Sequence, residues 1–292
     1  MKLSVLLSKN AEIIRDGEFS SVGTLFSCCP QQVVWASREN DIRKILKTPS
    51  VTCVITTQTL ASGLPDRFGI AVTKDPRAVF YTLCSGLHAN PDFSLPPFPN
   101  RISLSAKIHP SAVIAPSSVA IGKDVVIGKN VIVHEQSVID EGSVIRPNSI
   151  IGDSPVFLAD AGTGPAIVPC GGVHIHREVD IHANTRVYRA AFKGYTEIGE
   201  QTKIDNLDSI GQGTIIGKRC LICAGVGIGE SAVIGDDGWI GPNVTLENQI
   251  QVGKNVYITL GSTVTQDIED DKVVKDNFAL DRRRFKKVIR GM

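Results

Sequence analysis

The sequence predicts a mainly β protein: a parallel β-helix of the hexapeptide kind, with a small N-terminal α/β domain before it and a short C-terminal helix after it. Three observations carry this. An aliphatic residue returns at every sixth position from Ile198 through Ile204, Ile210, Ile216, Ile222, Ile228, Ile234, Ile240, Leu246, Val252 and Ile258 to Val264. The same step runs from Ile121 through Ile127, Val133, Ile139 and Ile145 to Ile151. A small or β-branched residue usually follows four places later, as at Ser137, Ser143, Ser149, Thr202, Thr214 and Ala232. A period of six belongs neither to an amphipathic helix nor to an alternating strand, and it is read as one short strand and one turn per step. Three steps close a triangular coil, with the aliphatic residue filling the interior and Gly, Asp, Asn and Pro forming the corners.

In chain order, residues 1–100 read as the α/β domain and its exit. VTCVITT and FGIAVT are strand-like, AVFYTLCSGL is a helix candidate, and NPDFSLPPFPN, with four prolines, reads as a stiff linker. Residues 101–268 form the helix of coils, roughly seven to eight of them and about 37 Å long at the spacing of stacked strands. One extra residue between Ile114 and Ile121 shifts the phase. From 152 to 172 the period is lost in a long excursion, expected to be a loop lining a substrate cleft. A second irregularity, YRAAFKGYTE, precedes Ile198. Residues 269–292 end in DRRRFKKVIRGM, a basic helical tail that could also cap the open end of the coil.

Bulk properties exclude several classes. Lys+Arg number 31 against Asp+Glu 30, so the chain has no global charge bias and nucleic acid is not an expected partner. MKLSVLLSKN holds only a short apolar run, and nothing approaches the roughly 20 apolar residues needed to cross a bilayer. The expectation is a cytoplasmic protein without stable membrane insertion. The seven cysteines (Cys28, Cys29, Cys53, Cys84, Cys170, Cys220, Cys223) are odd in number and suit a reducing compartment. The lone CxxC of Cys220 and Cys223 reads as core packing, because Cys220 occupies a small-residue position.

GIAVTKDPRAVFYTL, IHPSAVIAPSSVAIG, VIRPNSIIGDSPVFLA and IDNLDSIGQGTIIGKRCLICAGVGIGES, in this order, resemble the UDP-3-O-acylglucosamine N-acyltransferases of lipid A biosynthesis. The resemblance extends over nearly the whole chain. It implies a left-handed coil, a homotrimer with active sites between neighbouring prisms, a nucleotide-linked amino sugar as acceptor, and an acyl thioester of acyl carrier protein or coenzyme A as donor, with no bound cofactor. The reaction implied is N-acylation in lipopolysaccharide or surface polysaccharide synthesis. The family segment IDNxxQIAHNxxIG carries a His as general base, and Gln212 stands at that place. Of the aromatic, Asn and Tyr that the family presents to uridine, Trp35 keeps the aromatic character, and Arg38 and Asp41 replace the others. A paralogue with another acceptor or donor, or an inactive nucleotide-sugar-binding or scaffold homologue, fits these departures.

N-acylation needs a neutral amine, a proton acceptor and oxyanion donors. His109, His134, His176 and His182 each follow an interior aliphatic residue, which suggests corner positions. His174, His176 and His182 are the densest group, and His176 and His182 are the candidate substitute bases. Asp208 falls on an inward small-residue position and is the other candidate, and a reaction with no protein base stays open. Asp205 and Asn206 match the family's IDN and read either as acceptor contacts or as turn formers. Arg283, Arg284 and Lys287 of the tail are the candidate donor-docking residues. His176 and His182 superficially permit a metal, but the sequence offers no convincing third ligand, and none is expected.

Overall fold

The computed structural model describes residues 1–7, 10–23, 30–88, 90–154 and 168–275. Cys28, Cys29, most of the 152–172 excursion and the tail with Arg283, Arg284 and Lys287 lie outside the described residues.

The parallel β-helix is the dominant feature. Two- to four-residue strands, one per six-residue step, stack into three parallel sheets of nine, eight and eight strands. The first face starts at Arg101–Ile102, the second at Lys107–Ile108 and the third at Val113–Ile114. Register is strict: Ile139 pairs with Ile175 and that with Ile198, while Ile145, Ile181, Ile204 and Ile222 follow one another on the second face. The aliphatic residues of the six-residue period from Ile121 to Val264 are all buried in one continuous core.

Most corners contain a residue in the left-handed region, three places after the interior aliphatic: Asp124, Asn130, Asn148, Asn184, Asp237, Asn243 and Asn255 among others. Asn, Asp and Gly tolerate this conformation most readily, which is the physical basis of the corner composition. Inward hydroxyls at the small-residue positions knit successive coils. Ser143 Oγ donates to the His176 carbonyl at 2.8 Å and accepts from the Val179 N–H at 3.2 Å. Ser149, Thr185, Thr202 and Thr214 likewise donate to a carbonyl of the next coil.

The N-terminal unit is a five-stranded sheet. Its strands are β1 (Glu12–Arg15), β2 (Ser21–Val22), β3 (Gln32–Trp35), β4 (Val51–Thr56) and β5 (Gly69–Val72), in the order β1-β5-β4-β3-β2 with only β1 antiparallel. Pro76–Leu87 is a helix whose N-cap, Asp75, accepts from the Ala78 N–H, and Pro76 sits in the first turn. Its Phe80 meets Phe192 of the second irregularity edge-on at 5.6 Å. The proline-rich segment is not a free spacer. Leu95 donates its N–H to the Cys170 carbonyl, Phe98 donates to Ser118 Oγ, and the Gln136 amide reaches the Leu95 and Pro96 carbonyls. Among the described residues no helix is long and apolar enough to cross a membrane.

The coils approach most closely at glycine corners. A Cβ on Gly199 would stand 2.4 Å from the Gly217 carbonyl oxygen, and one on Gly217 would stand 2.6 Å from the Asp236 nitrogen. Gly227, at an outward strand position, has nothing within 4 Å of such a Cβ. Gly217→Ala should therefore destabilise the fold by about 1–3 kcal/mol, while Gly227→Ala should leave stability within about 0.5 kcal/mol of the parent. Denaturant unfolding of the two variants checks this, and equal effects would refute the steric account.

Candidate functional site

Where the residue after the interior aliphatic is not glycine, its side chain projects from the corner, and these positions collect most of the candidate chemistry. Three separate groups result, one at each edge of the prism.

At the edge between the second and third faces, Arg146, His182, Asp205 and Cys223 stack on successive coils, because Ile145, Ile181, Ile204 and Ile222 are in register below them. Arg146 holds Asp180 through two hydrogen bonds, Nε to Oδ1 at 2.9 Å and Nη2 to Oδ2 at 2.7 Å. His182 lies between that carboxylate and Asp205, with Nε2 3.6 Å from Asp180 Oδ2 and Nδ1 3.6 Å from Asp205 Oδ1. Both distances exceed a hydrogen bond, so each ring nitrogen keeps free capacity, with a carboxylate on either side of the ring. The side chain is 35% exposed. Asp205 Oδ1 accepts from the Asn206 N–H and side-chain amide, and Asn206 Oδ1 accepts from the Ala183 N–H. Asn206 thus serves the turn, whereas Asp205 faces His182. Between Asn206 and Asp208, Leu207 adopts a left-handed conformation with φ of 64° and is 67% exposed.

At the edge between the first and second faces, His176 stacks on Asp140, and His174 projects from the adjoining strand. The structure therefore separates His176 from His182 and pairs it with His174 instead, their rings stacked at 4.0 Å. His174 Nε2 is 2.9 Å from Asp140 Oδ2, and His176 Nε2 is 3.4 Å from Glu197 Oε2. Tyr195 meets His174 edge-on, and burial together with the Glu197 charge pushes its phenol pKa up, so it stays protonated. The part of Asp140 in this group was not anticipated from sequence. The signal was available, since Asp140 follows Ile139 as His176 follows Ile175, but the excursion puts Asp140 and His174 34 positions apart in sequence.

Gln212 occupies the third edge. It is 7% exposed, its Oε1 has no hydrogen-bond partner, and it lines a cavity of about 220 Å³ with Tyr188, Glu230 and Asn248. Trp35 ends β3, half-buried against the N-terminal core. Asp41 there accepts from the Ser37 and Arg38 N–H groups, so it caps the helix Glu39–Leu46. A further cavity of about 470 Å³ between that helix and the late coils is lined by Arg43, Lys44 and Lys47, basic residues the sequence pattern did not single out. Cys220 is buried with Sγ against the Gly235 carbonyl, and burial raises the thiol pKa of both Cys220 and Cys223, so neither is a ready thiolate.

No protein-family model matches the chain. Over 112 residues it is 36% identical to a UDP-3-O-acylglucosamine N-acyltransferase of Methylorubrum extorquens (strain PA1), covering 38% of this chain and 32% of that protein. Over 98 residues it is 39% identical to a probable UDP-3-O-acylglucosamine N-acyltransferase 2, mitochondrial, of Arabidopsis thaliana, covering 34% of this chain and 32% of that protein. The chain thus spans about a third of the length of these curated relatives, and the resemblance to that family is present at the level of sequence. A UDP-N-acetylglucosamine acyltransferase of Francisella novicida superposes with a TM-score of 0.47 and 23% identity, covering 64% of this chain and 73% of that one.

Asp208 is 2% exposed at an inward position where other coils carry hydroxyls. One carboxyl oxygen accepts from the Val226 N–H at 2.7 Å, and the other has no partner. Burial, reinforced by the nearby Asp205 charge, pushes its pKa up to about 8, so it is mostly protonated at neutral pH. The unfolded chain, with an ordinary carboxyl near 4, binds fewer protons over this range. Asp208 therefore makes stability fall as pH rises from about 4 to about 8. Asp208→Asn should remove that slope, and its advantage over the parent should grow by on the order of 3–5 kcal/mol between pH 5 and pH 8 and then level off. Denaturant unfolding across this range checks it, and parallel stability curves would refute a buried neutral carboxyl.

Proposed function

We propose that the chain is an acyltransferase, moving an acyl group from an acyl carrier protein or coenzyme A thioester to the amine of a nucleotide-linked amino sugar in lipopolysaccharide or surface polysaccharide synthesis. The sequence likeness to N-acyltransferases supports the reaction class. The observation that carries the catalytic reading is His182, uncommitted between Asp180 and Asp205. The amine nitrogen attacks the thioester carbonyl, His182 takes the proton released as the C–N bond forms, and the C–S bond breaks to free the carrier thiol, which regains a proton. Asp205 and Asp180 stabilise the imidazolium. A general base of this kind contributes about 10²–10⁴-fold. His176 is the weaker candidate, because its ring is engaged by Glu197 and stacked on His174.

A homotrimer packed along the prisms belongs to the same reading. Outward residues Leu221, Trp239, Tyr257 and Val273 follow one another on the second face and leave a partly exposed apolar stripe, which a second copy of the chain would cover. Gln212, standing where the resembling family places its base, is read as a contact to the acceptor, its unpartnered oxygen suited to an N–H donor.

Thiol release from acyl-coenzyme A and acyl carrier protein donors, measured against UDP- and dTDP-linked amino sugars, tests the proposal. His182→Ala should lower turnover on the order of 10²-fold, while His176→Ala changes it little. A parent rate in His182→Ala would exclude that base. Absence of turnover by the parent with tight binding of a nucleotide sugar would instead identify an inactive sugar-binding homologue. Light scattering should give three copies per particle, and a monomer at micromolar concentration would remove an active site shared between prisms.

A further inference from the structure

We infer that Asp140, His174 and His176 form a binding site for a divalent first-row transition ion on the outer edge between the first and second faces. One ligand atom from each lies within 4.8 Å of the others. Their separations bracket what an ion needs. His174 Nε2 stands 2.9 Å and His176 Nδ1 3.9 Å from the same Asp140 oxygen. Ligand atoms about 2.0–2.2 Å from a tetrahedral zinc ion stand roughly 3.3–3.5 Å apart, so small side-chain rotations close the set. Two imidazoles and one carboxylate are a donor set that suits zinc, iron and their neighbours and leaves positions open.

The surroundings fix the ligand tautomer. Glu197 Oε2 faces His176 Nε2 at 3.4 Å, so that nitrogen donates to the carboxylate and Nδ1 turns its lone pair toward Asp140 and His174. A carboxylate behind a ligating histidine is the usual second partner in such sites. Tyr195 packs edge-on against His174 and limits its swing. The backbone register does the rest. His174 and His176 follow the long excursion, Asp140 precedes it, and Ile139 pairs with Ile175 directly beneath. An ion here clasps the coil that precedes the excursion to the coil that follows it. This site is at a different edge from His182 and Asp205, so it does not depend on the acyltransfer reading.

Isothermal titration of the chelator-treated full chain with zinc chloride is the test. One ion per chain is expected. His174→Ala, His176→Ala and Asp140→Asn should each abolish that binding, and Asp140→Asn keeps the side-chain shape so that its loss reports the carboxylate charge. Glu197→Gln should weaken binding about 10–100-fold. His182→Ala should leave it unchanged, and circular dichroism confirms that each variant is folded. Zinc binding that survives undiminished in folded Asp140→Asn and His174→Ala, or a parent chain that takes up no zinc, would overturn the proposal.

Discussion

The stacking of each coil on the next at strand spacing is the constraint on which the rest of the molecule depends. A hydrogen-bonded ladder on three faces fixes the rise, and it leaves no room at a corner for a side chain that points along the stack. Gly199, Gly217, Gly235 and Gly253 obey this along one edge, each with a neighbouring backbone atom under 3 Å from a would-be Cβ. Where another residue takes the place, its side chain must leave the prism, and it does so directly above or below its counterpart in the adjacent coil. Functional groups far apart in sequence are thereby set one strand spacing apart, with no loop needed to hold them.

The same ladder explains the inward polar positions. The hydroxyls of Ser143, Ser149, Thr185 and Thr202 are accommodated because each gives a proton to one carbonyl and takes one from an N–H in the next coil. Asp208 fills this role imperfectly: one oxygen accepts as a hydroxyl would, while the other is stranded unless protonated. A carboxyl in its neutral form is the chemical nearest to Ser149 and Thr185, which hold the same position in the two preceding coils. The raised pKa is thus a property of the slot in the coil and of the Asp205 charge beside it.

What the sequence disclosed and what it withheld divide along these lines. The interior was legible because a period of six cannot arise from ordinary helices or strands, and Asp208 could be placed inward from the period alone. Corner positions of the histidines were legible for the same reason. Their partners were not, because neighbours across a stack are fixed by the number of residues in the intervening turn of chain. The excursion after Asp153 and the irregularity near Phe192 alter that number. Asp140 was therefore hidden from His174, and His182 looked closer to His176 than it is. Asp41 was invisible as a helix cap, since its use follows from hydrogen bonds to Ser37 and Arg38 that no spacing rule requires. The proline-rich segment read as a spacer because composition speaks of stiffness and is silent about docking.

The two tryptophans fall one in each unit, and their surroundings differ. Trp35 is half-buried in the N-terminal sheet, whereas Trp239 lies flat on Tyr257 of the following coil, ring centroids 4.1 Å apart and planes 3° from parallel. Because a stack of repeats loses order coil by coil more readily than a globular core does, the two indoles are natural optical reporters of separate events. Removing either one leaves emission that follows a single unit. Energy passed from Tyr257 to Trp239 would fade as those two coils part, so the molecule carries its own gauge of whether the solenoid frays from its far end or comes apart together with the domain docked on its side.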